Sequence, residues 1–79
     1  MKLPTDAQYE LLKTINRFDT HPSQAELARE VGKREQSLSG MVHRMAELGF
    51  VTFDESFTRK RPVVITKKGK DILERLAGL

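Results

Sequence analysis

Ser23-Gln24-Ala25-Glu26-Leu27-Ala28-Arg29-Glu30-Val31-Gly32 is the stretch on which the fold turns. Ser23 followed three residues later by Glu26 has the spacing of a capping box, in which a hydroxyl and a carboxylate satisfy the free N–H groups that open a helix. Ala25, Leu27, Ala28 and Val31 then share one face at helical spacing. Gly32 stands where the helix must stop, because glycine enters the left-handed region without a Cβ penalty. The residues predict a short helix over 23–31 and a tight turn at 32–34.

Outward from that turn the periodicity continues. Leu38, Met41, Val42, Met45 and Leu48 fall within an arc of about 120° at 100° per residue, which is one buried stripe of a third helix over 35–48, ended by Gly49. On the other side, Asp19-Thr20-His21-Pro22 breaks the chain, since the residue before a proline is pushed out of the helical region. Before it, Thr5 and Gln8 form another capping box, and Ala7, Leu11, Leu12, Ile15 and Phe18 make residues 5–18 an amphipathic helix.

Beyond Gly49 the period changes to two. Val51 and Phe53 alternate with Thr52, and Val63 and Ile65 flank Val64, so two short strands are expected. The segment 54–62 between them is too long and polar for a tight hairpin and should project as a basic loop. Thr66 is placed to cap a last helix over 66–77, with Ile72, Leu73 and Leu76 on its apolar face. The expected class is α+β, mainly α: a three-helix core, a β-hairpin and a C-terminal helix.

A chain of 79 residues holds one hydrophobic core, so residues 1–79 are expected to form a single domain. An apolar fraction of 38% beside 32% charge suits a folded globule, because a disordered chain carries fewer large apolar residues and a more one-sided charge. Cysteine is absent, so packing alone must hold the core. No apolar stretch approaches the length of a signal h-region or a membrane span, and a cytoplasmic location is expected.

The net charge of +3 is unevenly spread. From Lys33 to Lys70 nine cations face four anions, a balance of +5, while the remainder has five cations and seven anions, a balance of −2. Positive charge gathered in one part of a chain is what a surface meeting a polyanion requires.

The order helix, helix, tight turn, helix, hairpin, helix resembles a winged helix-turn-helix, over nearly the whole chain. Residues 23–32 look like the helix-turn-helix pattern with a small residue at the helix contact, here Ala28, and a glycine opening the turn, here Gly32. Met45-Ala46-Glu47-Leu48-Gly49-Phe50-Val51 is similar to the passage from recognition helix to first wing strand. Val64-Ile65-Thr66-Lys67-Lys68-Gly69 resembles the segment that follows the wing in MarR-type transcriptional regulators. The resemblance implies sequence-specific binding of double-stranded DNA, with the third helix in the major groove and a basic wing on the backbone or in the minor groove. It also implies a homodimer joined through the first and last helices.

The side of the third helix opposite its buried stripe must be the one it presents outward. On that side lie Gln36, Ser37, Gly40 and His43, with Ser39 on the flank, as candidates to read base edges. Arg44 on the same face is placed for a phosphate or a guanine, and Arg34 in the preceding turn is a further DNA-binding candidate. Gln36 has amide geometry suited to adenine, and Gly40 in a helix interior asks for a reason such as close approach to DNA. Arg59, Lys60 and Arg61 put three cations in the loop between the strands, where they can follow phosphates. Lys67, Lys68 and Lys70 open a helix, where cations oppose the dipole, and are weaker candidates.

Catalysis finds little support: His21 and His43 are the only histidines, and no nucleophile, base and orienting group share a motif. No metal-ligand spacing and no glycine-rich phosphate loop is present, so neither a metal nor a cofactor is expected. Two other roles suit the same fold: a winged-helix protein-assembly module, for which only Phe57 offers an out-of-place apolar residue, and a replication or partition factor of a mobile element. For a dimer, Leu3, Tyr9, Leu12, Leu76 and Leu79 are the apolar residues expected beyond what the core needs.

Overall fold

The structure is a computed structural model that describes residues 3–56 and 61–77. Its elements are α1 (Asp6–Arg17), α2 (Gln24–Val31), α3 (Glu35–Glu47), β1 (Val51–Phe53), β2 (Val63–Ile65) and α4 (Lys67–Ala77). The architecture is a winged helix-turn-helix, with the boundaries displaced from the expected ones by a residue where caps were counted in. Among the described residues no helix is long and apolar enough to cross a membrane.

Both capping boxes form. Gln8 N–H donates to Thr5 Oγ1 at 3.2 Å and Thr5 N–H to Gln8 Oε1 at 3.0 Å. Glu26 N–H donates to Ser23 Oγ at 3.1 Å, and Ser23 N–H to Glu26 Oε1 at 3.3 Å. Gly32 closes α2 with φ +70°, turning the chain into α3 as glycine alone does cheaply. Arg34 precedes α3 as its N-cap residue and gives it no side-chain cap.

The core draws on every element: Leu11, Leu12 and Ile15 of α1, Leu27 and Ala28 of α2, Leu38, Val42 and Met45 of α3, then Phe50, Val51, Val63, Ile72 and Leu73. Each large side chain removed from water contributes about 1.5–3 kcal/mol before chain entropy is set against it. α1 packs on α2, α4 and β2 at once, which widens its buried face. Leu12, expected to be spare for a partner subunit, is therefore fully buried inside its own subunit. Ala7, expected on the buried face, is exposed, while Thr14 is buried with its hydroxyl donating to Glu10 O at 3.0 Å.

β1 and β2 pair antiparallel, with Thr52 opposite Val64, and Asp54 N–H continues the ladder to Pro62 O at 2.9 Å. Val63 N–H donates to Pro22 O at 2.8 Å, so the α1–α2 connection lies along the free edge of β2 and ties the hairpin to the helices. At the other end Thr66 caps α4 by accepting from Gly69 N–H at 3.1 Å, while its own hydroxyl points at the carbonyls of Gly49 and Phe50. Gly69 is buried against Phe50 O and Ile65, leaving no room for a Cβ. Lys68 Nζ reaches Leu48 O at 2.8 Å, giving a charged donor to the C-terminal end of α3.

Candidate nucleic-acid interface

With Leu38, Val42 and Met45 turned inward, α3 exposes Gln36, Ser37, Gly40, His43 and Arg44, and Ser39 is half-buried at the edge. The helical wheel thus separates the two faces as expected. Around Gly40 there is open space where a Cβ would stand, so no contact within the subunit calls for glycine. Arg34 is exposed at the start of the helix. Arg44 Nη1 is paired with Glu47 Oε2 one turn on, at 3.2 Å.

His43 is the residue on this face with most of its geometry set by the protein. Its Nδ1 lies 2.7 Å from Ser39 O and 3.4 Å from Ser39 Oγ, and its ring is tilted 44° against Phe53 with centroids 5.3 Å apart. The Arg61 guanidinium stands over the same Phe53 ring, 4.5 Å from its centroid, and Arg61 Nη2 donates to Glu55 Oε1 at 3.0 Å. Phe53 thereby brings α3 and the base of the wing together. Its place in the alternating strand pattern marked it only as apolar.

The turn into the wing is built by Asp54, whose Oδ1 accepts from Ser56 N–H at 2.9 Å. That backbone donor, helped by the Ser56 hydroxyl and by His21, holds the Asp54 carboxyl below the usual carboxylate range against a smaller opposing effect of burial. His21 Nδ1 is 3.6 Å from Asp54 Oδ2, so the α1–α2 connection meets the wing here as well. Of the three wing cations, Arg61 is described and exposed, and Arg59 and Lys60 lie outside the described residues, as does Phe57. A cleft between α2 and the start of α3 is bordered by Ser23, Gln24, Ala25, Glu26, Arg29, Glu35 and Arg61, two cations beside two carboxylates. Arg29 was not singled out by sequence; its position in the last turn of α2 was legible, but not that Arg61 faces the same cleft.

Among the described residues no group of three or more His, Cys, Asp or Glu is placed to hold a metal ion.

The profile of the family described as HVO_A0114 matches residues 4–77. The chain belongs to that family.

The chain is also similar in structure to transcriptional regulators. The regulator Tm0710 from Thermotoga maritima superposes with a TM-score of 0.81 at 29% identity, over 94% of this chain and 53% of that one. A MarR family protein from Bacillus stearothermophilus gives 0.83 at 20% identity, over 95% and 52%. MepR of S. aureus, in its complex with DNA, gives 0.84 at 16% identity, over 94% and 57%. The chain has the MarR-like winged-helix fold and spans about half the length of these structures. No curated protein matches it in sequence.

Proposed function

We propose that this chain is a sequence-specific, double-stranded DNA-binding domain of a transcriptional regulator. The observation that carries this is the outer face of α3: polar, exposed, and bare at Gly40, where nothing within the subunit occupies the space in front of the backbone. Inserted in the major groove, that face offers Gln36, Ser37, Ser39, Gly40 and His43 to base edges and Arg34 and Arg44 to phosphate or guanine. The wing, with Arg59, Lys60 and Arg61, follows the backbone or enters the minor groove. Arg29 and Arg61 border a cleft beside α2, where they are the two cations open to a phosphate alongside the carboxylates of Glu26 and Glu35. The DNA-bound form of the similar MepR supports the same use of the fold. The role is non-enzymatic and cytoplasmic, residues 1–79 act as one domain, and the working unit is a homodimer through α1 and α4.

Selection from random duplex DNA tests this proposal. An enriched motif whose binding weakens with salt is the expected result. Failure to bind any duplex at about 50 mM salt, where phosphate contacts are strong, overturns it.

A further inference from the structure

The His43 ring is held so that its two nitrogens are not equivalent. Nδ1 lies 2.7 Å from Ser39 O, the shorter of its two contacts, and a carbonyl oxygen has no hydrogen to give. Two lone pairs facing each other at that distance repel, so Nδ1 carries the proton and donates. In the neutral ring Nε2 is then an acceptor. Among the described residues the ring's hydrogen-bond contacts are all at Nδ1, which leaves Nε2 for a ligand. Phe53 packs against the ring and restrains its rotation. Arg44, the next residue, is engaged by Glu47, and Arg61 across the Phe53 ring is engaged by Glu55.

We propose that His43 is a specificity-determining residue whose Nε2 accepts a hydrogen bond from the exocyclic amine of adenine or cytosine in the major groove. The assignment rests on the proposed placement of α3 in that groove. Among the polar groups there, only adenine N6 and cytosine N4 are donors; guanine N7 and O6 and thymine O4 all accept and would face the Nε2 lone pair. Gly40, three residues before His43 and on the same exposed face, presents no side chain, so the helix can approach closely enough for an imidazole to reach a base edge.

The test starts from the duplex enriched by selection with the wild-type protein. In that duplex each adenine is replaced in turn by purine and each cytosine by 2-pyrimidinone, which removes one amine at a time. Affinities are measured by fluorescence anisotropy for wild-type protein and for His43→Ala, whose fold is checked by circular dichroism. At one position amine removal should weaken the wild type about tenfold and leave His43→Ala unchanged. Equal losses in both proteins at every position, or no loss in the wild type, overturn the assignment while DNA binding stands. If no duplex is enriched at all, the DNA-binding reading and this assignment fall together.

Discussion

Gly69 of α4 passes so close to the Phe50 carbonyl oxygen that a Cβ on Gly69 would overlap it and press on Ile65. The contact locks the last helix to the segment joining α3 and β1, and Thr66 and Lys68 reinforce the same junction from either side. α3 and the β1–β2 hairpin thus hang from one small knot of backbone.

Gly69→Ala and Gly40→Ala should therefore move stability in opposite directions. At Gly69 backbone must shift, at a cost of about 1–3 kcal/mol. At Gly40 the space is open and alanine favours the helix by about 1 kcal/mol. Urea denaturation of the two variants checks this. If Gly40→Ala is more stable yet binds DNA more weakly, the glycine serves the ligand and not the fold.

Phe53→Leu should release both His43 and Arg61, which share its ring. Removing the aromatic pairing costs about 0.5–1.5 kcal/mol beyond burial. DNA affinity should fall while the salt slope is retained, because no charge is removed. A shallower slope in salt titrations would mean that the wing cations themselves had left the DNA.

The helices were legible in the sequence because their caps and stripes are local signals: Ser23 with Glu26, Thr5 with Gln8, Gly32 at the turn. The exposed face of α3 followed from the same periodicity. What was not legible depends on packing between distant segments. Leu12 counts as surplus on a helical wheel until α1 is seen packed on three partners. Lys68 looks like an unfavourable charge at a helix start until its ammonium meets Leu48 O. Phe53 alternates like any strand residue, and nothing in the alternation tells that it lies between a histidine and an arginine.

Stability should depend on pH through Asp54. Its folded carboxyl titrates below the ordinary value because Ser56 N–H donates to the charged form. The contribution is fully present above the unfolded value of about 3.9 and is lost as pH falls through the lowered folded value. Asp54→Asn should show a flatter acid limb than wild type when urea midpoints are measured from neutral to acid pH. Parallel limbs would show that the carboxylate does not stabilise the wing turn.

Replacing Arg59, Lys60 and Arg61 with alanine should weaken binding to all sequences and flatten the plot of log K against log salt by about 0.9 for each phosphate no longer neutralised. Gln36→Ala should instead relax preference at one base position by about 1–3 kcal/mol. Measured on matched and mismatched duplexes, the two variants separate backbone binding from base reading. Full affinity in the folded wing variant would leave the loop merely solvated.

The working unit should be a homodimer. One recognition helix reads few base pairs, and a two-fold dimer gains specificity by placing two helices about 34 Å apart in successive major grooves. Leu12 is spent on the subunit's own core, which narrows the apolar surface available for pairing. Tyr9 and Leu76 are half-buried against that core, and Leu3 is 63% exposed. These three side chains, on or beside α1 and α4, are the described apolar candidates for pairing, and Leu79 lies outside the described residues. A dimer resting on these side chains alone should be weak in free solution and strengthened on a palindromic site, where two subunits are held side by side. Sedimentation equilibrium at tens of micromolar should show a mass rising from one chain toward two, and Leu3→Glu with Leu76→Glu should hold it at one. A single-chain mass throughout, together with a non-palindromic selected site, would establish a working monomer.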